Sequence, residues 1–143
     1  MTMKLWIGTC AVTAAALGLQ IGVGAQGKST VDGVYGEAQA KRGAALYKEH
    51  CAACHGDDLA GNDVMPGLAG ETFVTTWQGR TLDELFTKIS MTMPALDPGS
   101  LKPDQVADVI AHMLSTSKYP AGKTDLAVTL EALAGIKIDA PKR

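Results

Sequence analysis

The chain has 143 residues, which makes one domain the natural expectation. Its formal net charge of −2 lacks the basic footprint that nucleic-acid binding requires. Three cysteines and three histidines are the whole supply of thiol and imidazole ligands, so their spacing carries the chemistry.

The first stretch reads as a targeting segment. Lys4 supplies a short positive region, Leu5 to Val23 is apolar and rich in Ala, Gly and Leu, and Val23-Gly24-Ala25 places small residues before a cut at Gln26. That is the pattern of a secretory signal peptide over residues 1–25, and it predicts an exported, periplasmic protein. The alternative is an uncleaved membrane anchor, which the Gly-rich second half and the small-residue end disfavour. Cys10 follows Ile7-Gly8-Thr9, a poor lipoprotein box placed very early. Cleavage would remove Cys10 and Lys4, leaving two cysteines and a slightly more acidic chain. Residues 26–36, rich in Gly and small polar side chains, read as a linker.

A helix is expected from Glu37 to His50, with Ala40, Ala44 and Tyr47 on one face. Gly43 beside them is costly in a helix interior and suggests the close approach of another backbone. Cys51-Ala52-Ala53-Cys54-His55 follows, a C-x-x-C-H run, the attachment signature of c-type haem. The spacing has a mechanical reason. Two cysteines three apart share one face of a helical turn, so each can bond one vinyl group of the same porphyrin. The next residue, His55, is then held under the iron as its proximal base. A thioredoxin-like pair would need a preceding strand, where a helix is expected. A zinc site would need two more ligands, and only His50 and His112 lie outside the run. With Cys51 and Cys54 committed to haem, no structural disulfide remains.

Beyond His55, Gly56 to Asp63 is a turn-rich loop, followed by Met65-Pro66-Gly67-Leu68-Ala69-Gly70 and an apolar segment from Phe73 to Trp77. Thr81 and Glu84 have capping-box spacing and should open a helix through about Ile89, with Leu82, Leu85, Phe86 and Ile89 on its apolar face. Two prolines and a glycine make Met91 to Gly99 irregular. Pro103 suits the first turn of another helix reaching about Ser115, with Val106, Val109, Ile110, Met113 and Leu114 as its buried stripe. In the tail, Leu126, Val128, Leu130 and Leu133 can share one helical side. No strand-period signal stands out.

Iron held by one histidine has an open sixth position unless another side chain fills it, and methionine thioether is a soft ligand that raises the potential. Met113 falls on a helix stripe and reads as core. Met65 is only ten residues past His55, while Met91 and Met93 lie on a loop that cannot be helical. Met93 precedes Pro94, which stiffens the loop, and is the favoured ligand, with Met91 as the alternative. Trp77, whose indole N–H can only donate, and Arg80, a strong carboxylate partner, are candidates to hold a haem propionate. Their plainer roles are a core aromatic and a solvated arginine.

These motifs occur in order from about Ala38 to Ser117: Gly43 and Tyr47, Cys51 to Gly56, Gly61, Pro66 to Gly70, Met93-Pro94-Ala95, and Val106 to Leu114. In that order they resemble the class I c-type cytochromes. The resemblance implies an all-α cytochrome c fold, three main helices wrapped around one haem bound through Cys51 and Cys54. It implies terminal helices crossing at Gly43 and Tyr47, His55 as proximal and Met93 as distal ligand, and the Pro66 carbonyl accepting the His55 ring N–H. The domain would span residues 37–118, with 119–143 an extension on which the resemblance is silent. Similar proteins often place an aromatic residue near the position of His112. Here His112 either fills that place or faces solvent, and it would serve as a bis-His ligand only if Met93 did not bind.

The expected function is that of an exported electron carrier, not an enzyme, exchanging single electrons with redox proteins as donor and acceptor. It would act as a monomer or within a redox complex, and would meet a membrane only if the leading segment stayed uncleaved. One alternative is a subunit of a larger dehydrogenase or oxidase, with the tail either docking a partner or, as slightly favoured, folding back over its own domain. The other is a five-coordinate peroxidase or gas sensor, for which no distal His and Arg pair has convincing spacing.

Overall fold

The computed structural model describes residues 28–141. The signal-peptide reading of residues 1–25 lies outside them. Six helices and two very short strands follow one another: β1 (Lys28–Ser29), a 3-10 turn (Thr30–Asp32), α1 (Glu37–His50), α2 (Ala52–His55), α3 (Gly70–Trp77), α4 (Leu82–Thr92), α5 (Pro103–Thr116), α6 (Leu130–Ala134) and β2 (Ile136–Lys137). The fold is the expected all-α one. Among the described residues no helix is long and apolar enough to cross a membrane.

The frame is the crossing of α1 and α5. Ala40, Gly43 and Tyr47 are buried on α1, and Val106, Val109, Ile110, Met113 and Leu114 on α5. Gly43 has the expected reason to be glycine, since a Cβ there would collide with the Asp108 carbonyl of α5. His112 fills the aromatic position at this crossing, its ring 5.5 Å from that of Tyr47. Arg42 locks the crossing from outside. Its Nε and Nη2 donate to the two Asp108 oxygens at 2.9 and 3.0 Å, and Nη2 also reaches Asp125 at 2.7 Å.

α4 forms the third wall, with Leu82, Leu85, Phe86 and Ile89 buried as expected. It runs one turn longer than expected, to Thr92, because the first chain breaker comes only at Pro94. Thr81 is its N-cap in extended geometry, yet its side chain makes no capping bond. Glu84, expected to complete a capping box, instead meets Arg80 in an ion pair. The apolar segment around Phe73–Trp77 is itself helical, from Gly70. Pro103 stands at the start of α5 as expected. Lys102, a poor cap, is helped by Gln105, whose Oε1 accepts from the Lys102 N–H at 2.9 Å.

The two ends of the described chain correct the reading of residues 26–36 as a linker. From Lys28 onward that segment is built into the fold. β1 pairs in parallel with β2, Lys28 opposite Ile136 and Ser29 opposite Lys137. Ser29 Oγ donates to Asp139 at 2.6 Å, and Tyr35 Oη donates to the Tyr119 carbonyl at 2.8 Å. Gly122 N–H donates to the Tyr35 carbonyl at 2.7 Å. The tail therefore folds back over its own domain. Its leucines do not share one helix face, because the helix holds only five residues. Leu126 is buried in an extended stretch and Leu133 on α6, while Val128 and Leu130 stay exposed. Buried Gln39 of α1 ties Leu126 down twice, accepting from its N–H at 2.6 Å and donating to its carbonyl at 3.4 Å.

Candidate haem site

α1 ends where Cys51 leaves helical geometry, and α2 is the single turn that follows. Cys51 is the N-cap of that turn, and its carbonyl accepts from His55 N–H at 3.0 Å and from Cys54 N–H at 3.1 Å. Both cysteines are free thiols, Cys51 half-buried and Cys54 exposed. Burial, then the neighbouring Cys54, pushes the Cys51 thiol up to about 11. A side chain that resists ionisation there suits a neutral thioether, which has no charge to desolvate. Tyr47 braces the turn from α1, its hydroxyl donating to the Gly56 carbonyl at 2.7 Å.

His55 is buried, and its Nδ1 lies 2.9 Å from the Pro66 carbonyl. A carbonyl only accepts, so this contact requires the proton on Nδ1 and leaves the Nε2 lone pair for a metal. Pro66 comes that close because Gly61, at φ +72°, carries no Cβ; one there would collide with the backbone of Met65 to Gly67.

The four methionines among the described residues are placed differently. Met113 is fully buried on α5. Met91, expected on a non-helical loop, instead lies in the last turn of α4 and, at 70% exposure, points away from the interior. Met65 is half-buried in the loop before Pro66. Met93 caps α4, its N–H donating to the Ile89 carbonyl at 2.9 Å, and packs half-buried against the core. Helical spacing puts it on the face of Phe86 and Ile89. The peptide between Met93 and Pro94 is cis.

Trp77 is buried and Arg80 stacks over its ring, with the guanidinium carbon 4.6 Å from the centroid. Arg80 Nε is taken by Glu84. Arg80 is thus neither free in solvent nor committed through its terminal nitrogens, and those are what a propionate would meet. Two features had no signal in the sequence. Ser90 Oγ, one turn before Met93, is buried without a partner, a donor that a carboxylate can satisfy. Asn62 makes three side-chain hydrogen bonds around the loop that carries Pro66. Serine in a helix and asparagine in a turn are too common to stand out by type.

These residues fit a covalently held haem. Two unpaired thiols sit on one turn beside an imidazole with a fixed tautomer, a thioether lies against the core, and a buried hydroxyl lacks a partner. Among the described residues no cluster of His, Cys, Asp and Glu could hold a bare metal ion instead. Residues 38–113 match the family model described as cytochrome c oxidase, cbb3-type, subunit III. No curated protein sequence matches the chain. Among solved structures it is similar to the sulfane dehydrogenase SoxCD from Paracoccus pantotrophus, at 23% identity and a TM-score of 0.49, over 68% of this chain. The chain spans about half of that one, 52% of its length.

Proposed function

This chain belongs to the class I c-type cytochromes, and from that premise we propose that it is an exported single-electron carrier with His55 and Met93 as axial ligands. The observation that carries the reading is the His55–Pro66 contact, which leaves Nε2 as a metal-binding lone pair directly beside two free thiols. When bound, the haem supplies an iron that alternates between two oxidation states.

The protein's part is to hold, orient and shield. Cys51 and Cys54 would hold the porphyrin through thioethers. His55 would offer its Nε2 lone pair to the iron, with its basicity raised by the Pro66 carbonyl. Met93 would offer its thioether to the iron, a ligand that favours the reduced state. Trp77 and the terminal nitrogens of Arg80 would offer donors to the propionates, a reading supported by the absence of a partner on those nitrogens among the described residues, beyond the Arg80 Nε–Glu84 pair. The fixed α1–α5 frame keeps both oxidation states in one shape. Export follows from the signal-peptide pattern of residues 1–25, and the partners are redox proteins that donate and accept single electrons.

A second reading makes the chain a cytochrome subunit of a larger oxidase or dehydrogenase, and the description of the matched family favours it. Migration as a monomer in gel filtration, without a co-purifying chain, would count against it.

The test uses holoprotein made with haem-maturation machinery. Visible spectra of wild type and Met93→Ala are recorded in both oxidation states. A sulfur-to-iron charge-transfer band in the oxidised wild type, absent from Met93→Ala, is the expected result. A band that survives the substitution moves the ligand to Met91 or Met65. A high-spin wild type, or rapid carbon monoxide binding by the reduced form, replaces the carrier reading with ligand binding or catalysis.

A further inference from the structure

The Pro66 carbonyl has to be held at one place to meet His55, yet its own residue contributes little to holding it. Proline has no N–H with which to anchor its peptide. Asn62, Asp63 and Val64 are exposed, so in the loop just before it only the half-buried Met65 has a side chain to pack. On its far side the loop is tied by Leu68 N–H, which donates to the Leu59 carbonyl at 2.7 Å.

On the near side the work falls to Asn62. Its Oδ1 accepts from Val64 N–H and Met65 N–H, both at 2.9 Å. Its Nδ2 donates to the Cys54 carbonyl at 3.1 Å. Its own N–H donates to the Met65 carbonyl at 2.8 Å. The residue before Pro66 is thereby held at both its N–H and its C=O, and the same carboxamide fastens that loop to the turn carrying Cys54 and His55.

We propose that Asn62 is a positioning residue that sets the reduction potential of the bound haem, by holding the Pro66 carbonyl on the His55 ring N–H from both sides of its carboxamide. The proposal rests on His55 being the axial base. A strong bond to Nδ1–H makes the imidazole a better donor and favours oxidised iron, so slackening it raises the potential.

The experiment compares wild-type holoprotein with Asn62→Ala, Asn62→Asp and a neighbouring control, Asp63→Ala. Midpoint potentials are measured by spectroelectrochemistry, and exchange of the His55 ring N–H is followed by proton NMR. Asn62→Ala should shift the oxidised-to-reduced ratio by up to about tenfold toward reduced iron, equivalent to ~59 mV, with faster ring N–H exchange. Asn62→Asp keeps the acceptor for the two loop N–H groups and loses the donor to Cys54. Its added negative charge by itself favours oxidised iron, so this variant is read by ring N–H exchange, which should quicken by less than in Asn62→Ala, and Asp63→Ala should leave ring exchange unchanged. A lower melting temperature with unmoved potential and ring exchange would make Asn62 a loop staple only and overturn the proposal. Asn62→Asp with wild-type ring N–H exchange would also overturn it, even if Asn62→Ala gave no holoprotein. A wild type without histidine ligation overturns this and the carrier reading together, whereas unmoved variants on a low-spin wild type overturn this one alone.

Discussion

His112 shows how much one position depends on its neighbours. By spacing alone it sits on a helix whose next turn is core. In the fold it packs on Tyr47 where α1 and α5 cross, and burial lowers its pKa below the ordinary value. The unfolded chain takes up a proton near pH 6.5, while the folded chain resists doing so until lower pH. The unfolded state therefore binds more protons through that window, and stability falls as pH drops through it. The wild-type melting temperature should decline from pH 7.5 to 5 more steeply than that of His112→Phe, and parallel curves would remove His112 as the cause. Motif residues were legible at this scale because Cys51, Cys54 and His55 are local to one turn, so spacing alone places them together. Ser90 and Asn62 were not legible. Their roles depend on what lies across from them, a missing partner for one and a loop backbone for the other.

Among the elements, the α1–α5 crossing was the most readable. The helical periods of Ala40, Ala44 and Tyr47 and of Val106 to Leu114 are long and regular, and Gly43 stands in the one row where bulk is impossible. Gly43→Ala would drive a methyl into the Asp108 carbonyl. Relief requires the helices to part, at a cost of about 3 kcal/mol or more, since overpacking a tight contact is already worth ~1–3. Urea unfolding of the holoprotein should register it as a lowered midpoint, and an unchanged midpoint would mean that the crossing can slide. The capping box at Thr81 was misread for a related reason. The spacing was present, but Glu84 found a stronger partner in Arg80 within the same turn of sequence, and a charged pair outcompetes a neutral backbone donor.

For the molecule as a whole, the ends of the described chain fasten each other. β1 and β2 join residues more than a hundred positions apart, and Gln39 seats the tail on α1. Gln39→Ala would leave the Leu126 N–H and carbonyl buried without partners, for about 1–3 kcal/mol per lost group. Leu133→Ala, at a fully buried site of α6, should cost ~2–5 kcal/mol. Both losses should appear in denaturant midpoints while the visible spectrum stays that of wild type. If either variant instead lost its sulfur-to-iron band, the tail would be part of the haem site and not only its brace.

By itself the sequence determined the parts whose geometry is local. These are the thiol pair and imidazole on one turn, the helix faces, and a glycine where two helices touch. Each lies within a few residues, where backbone periodicity alone decides which side chains meet. Only the tertiary structure decided that Lys28 to Gly36 and the tail form one clasp, that Met93 packs inward while Met91 turns out, and that Asn62 lies behind Pro66. A two-residue strand has no period to read, and a pairing across more than a hundred residues leaves no mark on either segment until the core between them brings the two together.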